Sequence, residues 1–278
     1  MIDTHFHLWR RADAPQRGIL AAPYLQRDFT WDDFRTAWDG LSVERCVEVQ
    51  VIDFTDPASE AGFVNEIAKT DGRLAGYIGW AHLESAQAAA DLAALQAFPL
   101  VRGVRRTLQI ESDPRFALKE GYVRGARLLG EQGLLCELCV RHEQIESVPA
   151  LVRACPDTEF VLQHLGKPDL SRPPSAGWLR TIEELGALSN VACKLSAVVH
   201  SDSDPRHRVE ALEPFVSRLV DFFGWERLLF GSNWPVATAV VGYREWVEML
   251  NTLLAGCGAG QGALECVFTE NARLLYKV

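Results

Sequence analysis

His5 and His7 stand two residues apart in the run Ile2-Asp3-Thr4-His5-Phe6-His7-Leu8. On an extended strand residues i and i+2 share a face, so both imidazoles point the same way. Such a pair can hold a divalent cation or donate to a substrate oxygen, or it can simply hydrogen-bond within a core. His164 ends another apolar run and is followed by Leu165-Gly166-Lys167-Pro168, a turn that leaves its ring at a strand tip. There it can donate to a developing oxyanion, ligate a metal or cap the turn. Arg105 and Arg106 are adjacent, so only one of them can face an interior, where its fork of donors suits an anionic or polyhydroxylated ligand. Lys194 and Ser196 share parity; Lys194 can contact a substrate or ion-pair within the interior. Arg141 and His142 follow a further strand-like run, and Trp31, Trp80 and Trp234 can offer flat walls to a sugar ring or serve as packing.

Elements must bring these scattered groups together. Short apolar or β-branched runs occur at residues 2–8, 46–52, 75–80, 101–106, 134–140, 159–164, 191–196 and 228–232. Each has the length of a buried parallel strand. Amphipathic spacing predicts helices over 57–70, 85–98, 122–132, 142–154, 176–189 and 209–224, then 243–255 and 270–276. Thr55-Asp56-Pro57 places a capping side chain before a first-turn proline, and Ser85 is placed to cap the next helix. Eight strand–helix units in 278 residues average about 35 residues each, which predicts a single (β/α)8 barrel of TIM type as one domain over residues 1–278. A doubly wound sheet is the competitor, but no GxGxxG follows the first strand. In a barrel the chemistry gathers at the C-terminal strand ends, where these polar residues fall, Glu48 and Gln50 among them. Residues 201–205, Ser-Asp-Ser-Asp-Pro, form the expected mobile loop.

Composition limits the partners. The chain has 28 Lys+Arg and 37 Asp+Glu, a formal charge of −9, which argues against nucleic-acid binding driven by a basic surplus. No apolar stretch is long enough for a membrane span and no leader pattern opens the chain, so a soluble protein is expected. The seven cysteines fit a reducing, cytoplasmic setting better than a disulfide framework. Cys136 and Cys139 form a CxxC, but three-residue spacing on a strand points them to opposite faces, so the motif is expected to be structural.

Six motifs occur in order: Asp3-Thr4-His5-Phe6-His7-Leu8-Trp9, Gly103-Val104-Arg105, Gln163-His164-Leu165-Gly166-Lys167-Pro168, Cys193-Lys194-Leu195-Ser196, Phe230-Gly231-Ser232-Asn233-Trp234-Pro235-Val236, and Glu270-Asn271-Ala272-Arg273-Leu274-Leu275-Tyr276. Together they resemble the amidohydrolase-related family of sugar-acid lactonases and pyrone-dicarboxylate lactonases, over essentially the whole chain. The resemblance implies a distorted barrel and hydrolysis of a lactone, an aldonolactone such as a fucono-, rhamnono- or galactono-lactone first and a carboxylated lactone second. It implies that His5, His7 and His164 polarise the carbonyl or help hold a metal, with Glu48 and position 233 as further candidate ligands. One divalent ion, zinc or manganese, or none at all is expected, since members differ and no lysine stands at the tip of strand four for a two-metal layout. Arg105, Lys194, Arg141 and the three tryptophans are the expected substrate contacts, and the enzyme is expected to be a monomer or homodimer.

The strand-eight position departs from that pattern. Where the family carries a carboxylate as general base, this chain has Asn233, a neutral amide that cannot accept a proton near pH 7. Three readings follow: a substrate-trapping variant of an Asp enzyme, a member whose base has moved to Glu48 or a histidine, or one in which Asn233 places a water or metal. A metal-dependent decarboxylase of the same superfamily and a sugar-acid binding protein without a base are the alternatives. The absence of a GxSxG elbow argues against a serine hydrolase.

Overall fold

The computed structural model describes residues 1–13, 18–51, 56–201 and 204–278. Eight strands form one sheet in sequential order, each parallel to the next: β1 (Ile2–Phe6), β2 (Arg45–Val49), β3 (Leu74–Gly79), β4 (Val101–Val104), β5 (Leu135–Leu138), β6 (Phe160–Leu162), β7 (Val191–Ser196) and β8 (Leu228–Gly231). The circle closes just beyond β8, where Asn233 N donates to His5 O at 2.7 Å and His7 N to Trp234 O at 2.8 Å. This is the (β/α)8 barrel that the alternation predicts. Its register slips between β1 and β2, between β2 and β3, and between β3 and β4, so one side of the cylinder is irregular.

Helices α1 (Trp31–Ala37), α2 (Pro57–Ala68), α3 (Ala88–Gln96), α4 (Glu120–Glu131), α5 (Val148–Ala154), α6 (Ala176–Gly186), α7 (Val209–Phe223), α8 (Tyr243–Gly256), α9 (Gln261–Glu265) and α10 (Asn271–Tyr276) flank the sheet. Pro57 opens α2 after Asp56, whose carboxylate accepts from Ala58 N at 3.0 Å; Thr55 and the Ile52 end of the second strand run lie outside the described residues. Ser85 does not cap α3, which begins at Ala88; its hydroxyl closes a turn with Gln87 N instead. The spacing also missed α1. Thr30 and Asp33 there cap reciprocally, and the short helix packs Phe34 flat on Phe6 at 3.9 Å.

Two apolar layers result. The larger lies between sheet and helices. The smaller fills the barrel from below with Ile2, Val47, Val49, Ile78, Leu135, Val161 and Leu229, stoppered by Ala272 and Tyr276 of α10. All seven cysteines are free: Cys136 lies in the sheet–helix layer, whereas Cys139 faces the cavity described below. Of the expected mobile loop, Asp202 and Ser203 lie outside the described residues; Asp204 accepts from Ser201 N at 3.1 Å. Among the described residues no helix is long and apolar enough to cross a membrane.

Candidate active site

The C-terminal strand ends open into a cavity of about 600 Å³, whose lining combines polar side chains, among them His7, Arg105, Gln109, Arg141, His142, Glu143, His164, Lys167, His200 and Asn233, with the apolar Leu20, Val51, Ile110, Val199 and Val236. A larger cavity, about 790 Å³, lies at the opposite end against α10 and contains none of the histidines, so the chemistry belongs to the smaller one.

Three imidazoles from remote strands meet at its floor. His5 and His7 bring their Nε2 atoms to 3.2 Å, and the ring centre of His5 lies 4.5 Å from that of His164. Gly231 makes this approach possible, because a Cβ there would fall 2.8 Å from that of His5. His7 Nδ1 sits 2.6 Å from Val49 O, and a carbonyl only accepts, so His7 donates there and its Nε2 carries the lone pair. The network then assigns the proton between the rings to His5 Nε2. The Nδ1 of His5 is buried without a partner. His164 places Nδ1 2.9 Å from Ser196 Oγ, and its Nε2 has no hydrogen-bond partner among the described residues.

The backbone is strained where these groups are presented. His164, Lys167 and Asn233 all adopt left-handed φ, at 52°, 49° and 59°. Non-glycine residues held there cluster at functional sites.

Electrostatics keep the rings neutral. Burial, then the charges of His164 and Lys194, push His5 well below the ordinary histidine range. Burial and Arg105 push His7 down to about 3, and burial with Lys167 lowers His164 in the same sense. Buried, uncharged imidazoles are proton acceptors at neutral pH. Arg105 faces them nearly buried, donating to Gln163 Oε1 at 3.2 Å and to Gln50 O, with its Nε buried and unpartnered. No carboxylate lies within ion-pair distance of Arg105 among the described residues, so its charge is left for a ligand. Arg106 points outward to Glu84 and Glu111, the division that adjacency predicts. Lys167 donates to Gln109 Oε1 at 2.6 Å, and Arg141 donates to Gln109 O and Glu111 O from the rim.

Several sequence candidates fall elsewhere. Glu48 is buried beside Glu60 of α2 and accepts from Leu8 N at 3.2 Å; burial and the Glu60 charge push it well above the ordinary carboxylate range. It is neither a base nor a ligand in the cavity. Side chains alternate along β2, with Val47 and Val49 inside the barrel and Cys46 in the sheet–helix layer, and this puts Glu48 there. Lys194 takes the ion-pair alternative, a layer below the cavity, against Glu137 at 2.6 Å. Trp31 packs on Phe6 and Phe34, Trp234 on Phe29 and Phe34, and Trp80 against His82; none of the three lines the cavity. Thr107, Gln109, Ile110 and His200 were missed. They lie on loops, which carry no periodicity, although their place directly after strand ends is the signal that could have found them.

The cluster offers part of what a divalent ion requires. The 3.2 Å between the two Nε2 atoms matches two ligands on one tetrahedral ion at about 2.0–2.1 Å. The rest does not fit. Position 233 supplies only an amide and Glu48 does not line the cavity, which leaves His164 Nε2 as the one further imidazole ligand. Among the described residues no cluster of three or more histidine, cysteine or acidic side chains is disposed to hold a metal. Arg105 and Lys194 bring positive charge to the same rings, and His5 Nδ1 lacks the outer-shell acceptor that orients a ligating histidine.

A family model described as Amidohydrolase matches residues 2–278. An L-fucono-1,5-lactonase of Burkholderia multivorans is 32% identical over 262 residues, covering 90% of this chain and 86% of the relative. One from Burkholderia ambifaria is 28% identical over 284 residues, covering 100% and 95%. A crystal structure of an amidohydrolase from Burkholderia multivorans with bound zinc superposes with a TM-score of 0.87 at 28% identity, covering 100% of this chain and 99% of that one.

Proposed function

This chain belongs to the amidohydrolase family, and on that premise we propose that it hydrolyses a sugar-acid lactone to the open hydroxy acid, with residues 1–278 acting as one barrel domain. One observation carries the chemistry: the imidazoles of His7 and His164 line the same cavity as the Arg105 guanidinium, which has no carboxylate within ion-pair distance among the described residues. Ring opening needs a base for water and a donor for the oxyanion, and these two groups supply them.

In this reading the lactone carbonyl oxygen lies against the Arg105 guanidinium, which lines the cavity and balances negative charge as it develops. Lys167 offers a second donor in the same cavity. With Nδ1–H donated to Ser196 Oγ, His164 Nε2 removes a proton from water as its oxygen bonds to the carbonyl carbon. When the intermediate collapses the ring C–O bond breaks, and the imidazolium returns that proton to the departing alkoxide. Asn233 spends Nδ2 on Ala197 O at 2.9 Å, leaving Oδ1 to accept from the attacking water without deprotonating it. The base has thus passed from the strand-eight position to a histidine. His5 and His7 form the neutral floor under the reacting carbon. Since the donor set does not suit a resident metal, no step here runs through one. The apolar lining of Leu20, Ile110 and Val236 suits the less hydroxylated face of a sugar ring.

The test is a pH-stat assay across aldonolactones and dicarboxylate lactones. Acid release faster than the spontaneous rate is expected, first on L-fucono-1,5-lactone; no acceleration on any of them defeats the reading. Carbon dioxide release from an aromatic acid would favour the decarboxylase alternative.

A further inference from the structure

Below the imidazoles the barrel holds a second polar layer, which the proposed hydrolysis leaves without a task. Glu137 of β5 and Lys194 of β7 are both 0% exposed, with Nζ 2.8 and 2.6 Å from the two carboxylate oxygens. From beneath, the phenol of Tyr276 donates to Glu137 Oε1 at 2.6 Å. From above, Gln163 Nε2 donates to Glu137 Oε2, and Gln163 Oε1 accepts from Arg105 Nη1 at 3.2 Å. Lys194 also donates to Thr4 O at 2.6 Å, the carbonyl that precedes His5. A continuous chain of buried hydrogen bonds therefore joins the C-terminal helix α10 to the guanidinium in the cavity.

Packing alone does not call for this arrangement. The bottom of the barrel is already sealed by apolar side chains around the Tyr276 ring, and a hydrophobic cluster of the same volume would replace a buried ion pair at little or no loss of stability. What the polar layer adds is direction. Gln163 has one amide, and its orientation is dictated at both ends: its nitrogen must meet Glu137 so that its oxygen can meet Arg105. Glu137 in turn is fixed between donors above, beside and below.

We propose that Tyr276 is a positioning residue for lactone hydrolysis: by holding Glu137 from below, it orients Gln163 and so aims Arg105 at the carbonyl. This rests on the lactonase reading of the cavity. Loss of the hydroxyl leaves Glu137 Oε1 held by Lys194 alone and loosens the chain without opening a hole, since the ring remains.

The experiment is a double-mutant cycle of Tyr276→Phe and Gln163→Met on the lactone that the wild type opens fastest. Tyr276→Phe is expected to lower kcat about 10-fold with KM within about two-fold, because a misaimed donor is felt mainly in the transition state. Gln163→Met severs the chain above Glu137, so the double variant is expected to fall no further than Gln163→Met alone. Multiplying effects, or an unchanged kcat in Tyr276→Phe, overturn the proposal. If Tyr276→Phe does not fold, 3-fluorotyrosine at 276 keeps the shape and strengthens the phenol as a donor; kcat must then change while the melting temperature stays put. A readout without substrate separates this proposal from the lactonase reading. The Arg105 Nε–H resonance, identified by its loss in Arg105→Lys, is expected to shift in Tyr276→Phe even if no lactone is turned over, and an unmoved resonance overturns the relay.

Discussion

Asn233, which lines the cavity, donates its side-chain nitrogen to the Ala197 carbonyl at 2.9 Å, which fixes the amide and leaves its oxygen as the acceptor. Replacing it by Asp sets a carboxylate oxygen against that carbonyl. Asn233→Asp is expected to lose about 1–3 kcal/mol of stability, the cost of an unmet buried acceptor, read from the urea midpoint. The new negative charge beside the imidazoles favours their protonated forms, so the acid limb of the pH–rate profile should move upward. A limb that stays in place would mean that no histidine governs the rate.

For the native chain the direction of that limb follows from burial. A base works only when neutral, and His5, His7 and His164 are all pushed below the ordinary histidine value of 6.5. The proton is therefore taken up only below pH 6.5, and kcat/KM is expected to hold level through neutrality before falling in acid. A half-point at or above 6.5, the value of an exposed histidine, would contradict the neutral cluster.

Gly231 is predicted to be intolerant of a methyl group. A Cβ there would lie 2.8 Å from His5 Cβ and 3.2 Å from Ser196 Cβ, both fixed close to the main chain. Gly231→Ala should cost about 1–3 kcal/mol through overpacking and lower kcat by displacing His5. Gly72→Ala, with nothing within 4 Å, is the control. Equal behaviour of the two variants in thermal melts and turnover would remove the argument for close approach.

Much of this arrangement was legible in the chain. Two-residue spacing aligned His5 with His7 and Lys194 with Ser196, adjacency separated Arg105 from Arg106, and three-residue spacing sent Cys136 and Cys139 to opposite sides. Depth was not legible. Periodicity says that Lys194 faces inward but not that it stops a layer short of the cavity, and alternation alone leaves open whether Glu48 or its neighbours Val47 and Val49 face the barrel. Trp31 illustrates a different failure. Its indole looked like a sugar platform, but the Thr30–Asp33 cap makes it the first residue of a helix, where it packs on Phe6 and donates to Asp71. Loop residues such as Gln109 and His200 carry no repeat at all, and only the closed barrel brings them to the rim.

Metal removal tests the donor set. With an amide in place of a carboxylate at position 233, exhaustive treatment with a chelator is expected to leave kcat/KM unchanged, and added zinc to give no increase. Activity that disappears with chelator and returns stoichiometrically with zinc would show that the cluster holds an ion despite its composition.

The central claim is that a neutral histidine activates water for lactone opening, and His164→Gln tests it most directly. Assayed by pH-stat on L-fucono-1,5-lactone beside the wild type, the variant is expected to lose about 10²- to 10⁴-fold in kcat, with KM little changed and the fold retained by circular dichroism. A variant that opens the lactone as fast as the wild type would contradict the account.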